Sequence, residues 1–313
     1  MVQIESENLT KYYGSFPALK DISFQVEKGE IVGFLGPNGA GKTTTIRILT
    51  GFIPPSSGTA RVGGFDIRTQ SLEVRKRIGY LPETVPLYKE MTVTSFLQFL
   101  ATIRGVIGSR REDRIKEVIH VCRLDEYSKS LISKLSKGYR QLVGIAQAII
   151  HEPEVLILDE PTIGIDPRQV VHIRQLIKEF GQNHTVILSS HILPEVSQVC
   201  GRVMVMDQGR IVAVDRPENL AAGFGGPQLY EIEAGGSEEK ILALLQKVEG
   251  VLKVRVEGTG KTRRYLVESQ PGRDIRDDLS SALMEGGVRL LGLKSRDVSL
   301  EDIFLRLTTR EKE

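Results

Sequence analysis

One stretch of nine residues, 36–44, restricts the fold more than any other part of the chain. A short apolar run bounded by Gly29 precedes it, which predicts a buried strand, and apolar residues at helical spacing follow it. Glycines between a strand and a helix allow a tight turn whose N–H groups point inward at a polyphosphate. The stretch consists of Gly36, Pro37, Asn38, Gly39, Ala40, Gly41, Lys42, Thr43 and Thr44.

Two side chains near the end of this stretch are suited to phosphate chemistry. Lys42 would place a positive charge on the outer phosphates, and the Thr43 hydroxyl is suited to a magnesium ion. The alternative is a glycine-rich turn that binds nothing, and the strand and helix on either side make it the weaker interpretation. The pattern therefore predicts a polyphosphate site.

Two further apolar runs, residues 155–158 and 186–188, have the continuous character of strands that are buried on both faces. The first ends in Asp159 and Glu160, and the second leads through two serines to His191. Helical segments alternate with such strands, which predicts an α/β fold with a mostly parallel sheet. Because functional groups collect at the carboxyl ends of parallel strands, we expect these side chains to meet the glycine-rich turn.

The rest of the first 218 residues follows two patterns. Two bursts of alternating apolar and polar residues within 2–28, and a further segment at 58–67, predict antiparallel strands. Residues 84–153 change to helical spacing, which predicts a helical insertion.

A second domain is predicted at the C-terminal end. Residues 219–227 contain several glycines and predict a linker. Residues 228–313 predict an α+β domain in the order βαββαβ, which is typical of ferredoxin-like folds. Ser299 and Asp302 would cap a last helix.

Composition narrows the setting in which the protein works. A net charge of +2 gives no strong attraction for nucleic acid. Cys122 and Cys200 match no metal-binding spacing and suit a reducing compartment. Charged residues occur too early for a secretory signal, and no apolar run has the length of a membrane span. We therefore expect a soluble, cytoplasmic protein whose membrane role would come through a partner.

Six features occur in an order that resembles the ATP-binding subunits of ABC transporters, and in detail the exporter-type gliding-motility and drug-resistance ATPases. The resemblance covers residues 1–218 and implies a P-loop NTPase core of the ABC type with an antiparallel β subdomain and a helical insertion. The features are the pair Tyr12 and Tyr13, the nine-residue stretch, residues 80–83, residues 135–139, the acidic pair, and His191.

The resemblance implies a role for each matching residue. Glu160 would polarise the attacking water, and His191 would contact the γ-phosphate. The Mg²⁺ ligands would be Thr43, Glu83 and Asp159. ATP would be bound by Tyr13 stacked on the adenine, by the nine-residue stretch, and, across a dimer of two identical chains, by Leu135, Ser136, Lys137, Gly138 and Asp166.

Four positions depart from the family pattern or leave an alternative open. Glu83 stands where glutamine is usual, so an additional negative charge enters the site. Lys137 replaces a glycine and Tyr139 a glutamine, while the neighbouring serine and glycine remain. Tyr12 is the alternative to Tyr13 for stacking, because adjacent strand residues point to opposite faces and one of the two is expected in the core.

The resemblance implies an ATPase that dimerises on ATP and drives a separate membrane permease, with export favoured, from the inner face of the cell membrane. A soluble ABC ATPase that acts on ribosomes or nucleic acid is the alternative. Such proteins usually carry two ATP domains, a coiled coil or basic arms, and this sequence shows none of these patterns. The C-terminal domain would be structural, dimer-stabilising or regulatory, and residues 85–88 are the candidate contact for the permease.

Overall fold

The computed structural model describes residues 1–223, 228–258, 262–270 and 274–296. It divides into two compact units, which we call the first unit (Met1–Pro217) and the second unit (Glu218–Glu313). The last part of the predicted linker, residues 224–227, and the predicted cap formed by Ser299 and Asp302 lie outside the described residues.

The first unit is built on a six-stranded sheet in which five strands are parallel and the edge strand β10 is antiparallel to β9. Its central strands are continuous apolar runs that are buried on both faces, as expected of a covered parallel sheet. The strand order is β10-β9-β3-β8-β7-β6. The strands are β3 (Ile31–Leu35), β6 (Ile78–Leu81), β7 (Val155–Asp159), β8 (Thr185–Ser190), β9 (Arg202–Asp207) and β10 (Arg210–Asp215).

A second, antiparallel sheet in the order β2-β1-β4-β5 completes the first unit's strands. Its first two strands form one hairpin and are longer than the alternating bursts in the sequence suggest. The reason is that bulges and the positive φ angles of Asn8 (48°) and Asp21 (56°) interrupt the two-residue period. The strands are β1 (Val2–Tyr13), β2 (Phe16–Glu27), β4 (Ser57–Val62) and β5 (Phe65–Asp66).

Seven α-helices accompany these strands within the described residues of the first unit, and three of them, α3 to α5, lie in the predicted helical insertion; an eighth, α8, begins at the last residue of this unit and continues into the second. Three helices have an N-cap residue whose side-chain oxygen accepts a backbone hydrogen bond from the first turn: Thr92 for α3, Ser136 for α5 and Asp166 for α6. The short helix α7 was not predicted. The helices are α1 (Lys42–Leu49), α2 (Ser71–Arg77), α3 (Val93–Ile103), α4 (Ser109–Val121), α5 (Lys137–Ile149), α6 (Pro167–Gly181), α7 (Leu193–Ser197) and α8 (Pro217–Gly223).

After α8, the described part of the second unit consists of an antiparallel sheet, in the order β12-β13-β11-β14, with the helices α9 and α10 and its own apolar core. Tyr230 lies in that core, and its hydroxyl accepts a hydrogen bond from the Ile275 N–H at 3.2 Å. None of the helices in the described part of the chain has the length and apolar character needed to cross a bilayer. The elements are β11 (Gln228–Gly235), α9 (Glu238–Leu245), β12 (Val251–Glu257), β13 (Thr262–Ser269), α10 (Arg276–Glu285) and β14 (Arg289–Arg296).

Candidate functional site

The glycine-rich turn connects β3 to α1, and its path depends on residues without a Cβ atom. A Cβ on Gly36 would lie 2.3 Å from the Met206 carbonyl oxygen. Gly41 has a φ of 107°, and a Cβ there would lie 2.6 Å from Leu19 Cδ2. Both positions therefore exclude larger residues, and the turn is held close against the end of β9 and against β2.

The turn between β9 and β10 is hydrogen-bonded to the glycine-rich turn. The Gly209 N–H donates to the Ala40 carbonyl at 3.0 Å, and the Lys20 N–H donates to the Gly209 carbonyl at 2.8 Å. Gly209 has a φ of 79°, and a Cβ there would lie 2.7 Å from the Ala18 carbonyl oxygen. The β9–β10 turn is therefore hydrogen-bonded to β2 through one main-chain group and to the glycine-rich turn through the other.

Lys42, the first residue of α1, is buried, with 6% of its side chain exposed. Its Nζ donates to the carbonyl oxygens of Gly36 at 2.7 Å and Pro37 at 3.2 Å. The same Nζ lies 3.4 Å from Glu160 Oε1. The ammonium group is therefore fixed at the mouth of the turn, beside a carboxylate.

Asp159 ends β7 with one satisfied carboxylate oxygen and one free one. Its Oδ1 accepts hydrogen bonds from the hydroxyls of Ser189 at 2.6 Å and Thr43 at 3.2 Å. Its Oδ2 is buried and has no hydrogen-bond partner among the described residues. Burial raises the pKa of this carboxyl group, while the two hydroxyl hydrogen bonds lower it. An unpartnered buried carboxylate oxygen beside a threonine hydroxyl fits a magnesium ion.

The described residues contain no group of three His, Cys, Asp or Glu side chains placed to hold a metal ion by themselves. Glu83 lines the same cleft, but it does not form such a group with Asp159 and Glu160. A cation at Asp159 and Thr43 would therefore need further oxygens. Phosphates and water supply these at magnesium sites of phosphoryl-transfer enzymes.

Glu160 and His191 contact each other across the ends of β7 and β8. The distance from His191 Nδ1 to Glu160 Oε2 is 2.9 Å, and 8% of the Glu160 side chain is exposed. Glu160 has a φ of 50°, a left-handed conformation that is uncommon for a residue with a side chain. Its N–H donates to the Ser189 hydroxyl at 3.0 Å, which holds this backbone in place.

A single cleft brings together most of the predicted site. It is lined by Tyr13, Glu83 and Glu160 and by residues 37–44 of the glycine-rich turn. Phe16 also lines it and was missed, although it pairs directly with Tyr13 across the β1–β2 hairpin. Tyr12 and Tyr13 are both exposed, 51% and 47%, so the expectation that one of them lies in the core is wrong. Tyr12 and Tyr13 pair in continuous register with Pro17 and Phe16 next to the hairpin turn, and both faces of the hairpin are exposed there.

The segment Leu135 to Tyr139 is placed at the start of α5 and is not part of the cleft lining as described. Ser136 is the N-cap of the helix, and Gly138 is buried against the Gln169 side chain, whose Oε1 would lie 1.5 Å from a Cβ. Lys137 Nζ would lie 2.4 Å from a Cβ on Gly164, in the loop that leads to Asp166 and α6. The segment and this loop are therefore neighbours within one chain.

Tyr139 has an aromatic partner that the sequence did not reveal. Its ring centroid lies 4.1 Å from that of Tyr127, and the two planes are tilted by 41°. The hydrogen bond with the Tyr127 side chain raises the pKa of Tyr139. A bulky aromatic pair thus stands beside the Ser136 cap.

A buried cluster of polar residues behind the cleft was also missed. Its members are Thr162, Ser189, Ser190 and Glu195, all less than 9% exposed. Two serines directly before His191, at the end of an apolar strand, were the available signal. The participation of Glu195 depends on α7, which no pattern in the sequence predicted.

Comparison with known proteins gives consistent matches. The family model described as ABC transporter matches residues 19–163. The linearmycin resistance ATP-binding protein LnrL of Bacillus subtilis (strain 168) is 33% identical, with 98% of both chains covered. The bacitracin transport ATP-binding protein BcrA of Bacillus licheniformis is 34% identical, over 97% of this chain and 96% of its own.

A solved structure gives the same result for the fold. CbiO1 from Clostridium perfringens, described as part of the ABC transporter complex cbiONQ, superposes with a TM-score of 0.65 and 26% identity. The match covers 79% of this chain and 96% of cbiO1.

Proposed function

The chain belongs to the ATP-binding subunits of ABC transporters, and from that premise we propose that the cleft binds and hydrolyses Mg·ATP with the residues assigned below. The chain is an ATP-hydrolysing, energy-coupling subunit of the export type, and its relatives include ATP-binding proteins named for linearmycin resistance, bacitracin transport and Nod factor export. These relatives favour transport over the alternative of a soluble ATPase that acts on ribosomes or nucleic acid.

One observation carries the assignment of the site. The ends of three neighbouring strands, β3, β8 and β7, place the Lys42 ammonium, the free Asp159 oxygen and the Glu160–His191 pair around the same turn. Lys42 precedes the other three residues by more than 100 positions in the chain. A cation, a metal-binding carboxylate and a base beside a cradle of N–H groups are the parts that phosphoryl transfer to water requires.

Different residues of the cleft would bind the phosphates, the adenine and the magnesium ion of Mg·ATP. The backbone N–H groups of residues 38–44 would receive the β- and γ-phosphates at the positive end of α1, and Lys42 would add its charge. Tyr13 and the neighbouring Phe16 would present aromatic faces to the adenine, which gives affinity without a demand for specific hydrogen bonds. Thr43 and Asp159 would hold Mg²⁺, with Glu83 close by in the cleft.

Bound Mg²⁺ would neutralise charge that develops on the phosphate oxygens. Glu160 would orient a water molecule for attack on the γ-phosphorus and take up the proton that the water loses, while the bond from that phosphorus to the bridging oxygen breaks and ADP leaves with the oxygen. His191 would hold the Glu160 carboxylate through the 2.9 Å contact and reach the γ-phosphate with its other ring nitrogen. The left-handed backbone of Glu160 is consistent with a catalytic position, because strained residues concentrate at such sites.

We infer that two copies of the chain close over ATP. The segment Leu135, Ser136, Lys137 and Gly138 begins α5, and the start of a helix favours negative charge. It does not line this chain's own cleft as described, so its phosphate would come from a second copy. Asp166, the cap of the neighbouring helix α6, would lie in the loop that crosses between the two sites. Such reciprocal contacts require a twofold dimer.

A membrane permease is the second partner we propose, which would place the protein at the cytoplasmic face of the membrane. Large apolar side chains are exposed along α3 and the segment before it, among them Tyr88 (54%), Phe99 (40%) and Ile103 (63%). The Tyr88 and Phe99 rings pack edge to face at 5.6 Å, which joins residues 85–88 to the helix. A contiguous exposed apolar surface is typical of a protein interface.

For the second unit we propose a ferredoxin-like domain with a structural or dimer-stabilising role. Its elements follow the order βαββαβ, and its first and third strands are central in the sheet. Such modules are poor indicators of function, so binding of a regulator stays open as its alternative use.

Glu160→Gln tests the proposal directly. The amide keeps the size of the side chain but cannot accept the proton, so we expect kcat to fall by about 10²- to 10⁴-fold. ATP should still bind and hold the variant as a dimer in size-exclusion chromatography. Glu218→Gln, an exposed position in α8, serves as the control. Normal turnover by Glu160→Gln, with a monomer in the presence of ATP, would contradict the proposal.

A further inference from the structure

The short helix α7 is seated against the strand that leads into the glycine-rich turn. Val196, which is fully buried, lies so close to β3 that a Cβ on Gly33 would be 2.2 Å from Val196 Cγ1. Only a glycine permits this approach. The packing of Val196 on Gly33 fixes the preceding residue, Glu195, close to the ends of β7 and β8.

Glu195 has a buried carboxylate, with 8% of the residue exposed. One oxygen, Oε2, accepts two hydroxyl hydrogen bonds: a short one from Thr162 and one from Ser190 at 3.1 Å. The Ser190 hydroxyl in turn accepts the Ile192 N–H at 3.0 Å. Hydrogen bonds to an ionised acceptor are about twice as strong as neutral ones, so this atom is a firm anchor for both hydroxyls.

The two hydroxyl residues stand next to the two groups that act on water. Thr162 follows Glu160 by two positions, and Ser190 directly precedes His191. Glu160 also carries the strained backbone described above, and such a conformation persists only where its surroundings fix it. One carboxylate oxygen therefore joins the loops that present the base and the histidine.

We propose that Glu195 is a positioning residue for hydrolysis, which holds Glu160 and His191 in register through Thr162 and Ser190 without itself touching ATP. This inference rests on the proposed function of the cleft. A buried carboxylate that only stabilises the fold is the competing explanation. The two differ in what they predict for kcat in a protein that is fully folded.

The decisive variants keep the shape of the cluster and change its hydrogen bonds. Glu195→Gln keeps the volume but replaces the ionised acceptor with a neutral amide. Thr162→Val removes one hydroxyl, and Thr162→Ser keeps it, so these two form a matched pair. Glu179→Gln, an exposed position on α6, controls for the same chemical change elsewhere.

Purified full-length protein would be assayed for kcat, KM for ATP and thermal melting temperature. We expect Glu195→Gln and Thr162→Val each to lower kcat by about 10- to 100-fold, the usual effect of groups that support an active residue. KM should stay within about twofold, and Thr162→Ser and Glu179→Gln should behave as the unchanged protein. The double variant Glu195→Gln/Thr162→Val should be no slower than the slower single variant, because both break one unit.

Two results would overturn the inference. One is an unchanged kcat in Glu195→Gln and in Thr162→Val. The other is a kcat loss that matches the fraction of unfolded protein at the assay temperature. The Glu160→Gln variant, measured alongside, separates the two levels of the proposal. If it loses turnover while Glu195→Gln does not, only the positioning role fails, and if it turns over normally, the assignment of the cleft fails.

Discussion

The two units of the molecule differ in the charged residues that they bury. In the first unit, four charged side chains are buried near the carboxyl ends of the parallel strands: Lys42, Asp159, Glu160 and Glu195. In the described part of the second unit, Ser269 is the one buried polar residue. Its described charged residues are exposed or half-buried, and some pair across strands, as Arg255 and the half-buried Glu268 do at 3.5 Å.

This difference separates stability from function within one chain. A buried charge costs free energy unless it is paired, and one oxygen of Asp159 has no partner among the described residues. The described part of the second unit has an apolar core and no buried charged residue, and its buried polar atoms without a hydrogen-bond partner are the Tyr265 hydroxyl and Arg263 Nε. We therefore expect changes in the first unit's buried polar groups to alter catalysis, and changes in the second unit's core to alter stability alone.

Lys42→Ala should have the largest effect on this contrast. It removes the ammonium from the mouth of the turn and leaves the Glu160 carboxylate without its 3.4 Å partner. We expect ATP binding to weaken by about 2–5 kcal/mol, the cost of truncating one member of a desolvated charge pair. Isothermal titration with a non-hydrolysable ATP analogue measures this, and unaltered affinity would show that the buried cation does not serve the cleft.

Leu279→Ala should give the opposite result in the second unit. Leu279 is fully buried on α10, and its truncation should cost that unit about 2–5 kcal/mol of unfolding free energy. ATP turnover at a temperature where the protein is folded should not change. Denaturant unfolding and an ATPase assay on the same sample check both halves, and a parallel loss of turnover would break the proposed separation.

A pH series between 4 and 6.5 tests the first unit separately, because all five histidines lie in it and none lies in the second unit. Burial lowers the pKa of His151 from 6.5 to about 4, so the folded protein keeps it neutral. The unfolded chain takes up a proton at a higher pH, and the free energy of unfolding should therefore fall as the pH drops below 6.5, by up to about 3 kcal/mol near pH 4.

His151→Gln should remove this part of the pH dependence, as measured by denaturant unfolding between those two pH values. The His120→Gln variant is the control, since the His120 side chain is 83% exposed. If both variants keep the full slope, the loss of stability in acid comes from other groups.

Tyr13→Ala should have the smallest effect, since Tyr13 is half exposed at the rim of the cleft. The loss of one aromatic contact is worth about 0.5–1.5 kcal/mol of ATP affinity. Tyr13→Phe should bind as the unchanged protein does, and Tyr12→Ala should also have no effect. A larger loss in Tyr12→Ala than in Tyr13→Ala would reassign the adenine contact.

The sequence predicted those parts of the fold that depend on local pattern. Continuous apolar runs marked β7 and β8, and the acidic pair and His191 followed directly from where those runs end. The full length of the β1–β2 hairpin was not predictable, because bulges near Asn8 and the left-handed Asp21 disrupt its alternation.

The supporting contacts of the site could not be predicted, because they join residues that are distant in the chain. Ser189 bonds both Asp159 and the Glu160 N–H, from a strand 30 positions further on. Glu195 reaches Thr162 only because α7 packs on Gly33. The placement of Lys137 beside Gly164 likewise depends on how α5 meets the start of α6.

The turn at Gly209 gives a final consequence. It is a two-residue reversal at a sheet edge, the kind of place where chains usually accept insertions. Here both of its main-chain groups are committed, one to Ala40 and one to Lys20. Lengthening this reversal by a single residue would therefore shift the glycine-rich turn relative to β2. We expect such an insertion to weaken nucleotide binding although it lies outside the proposed ATP contacts.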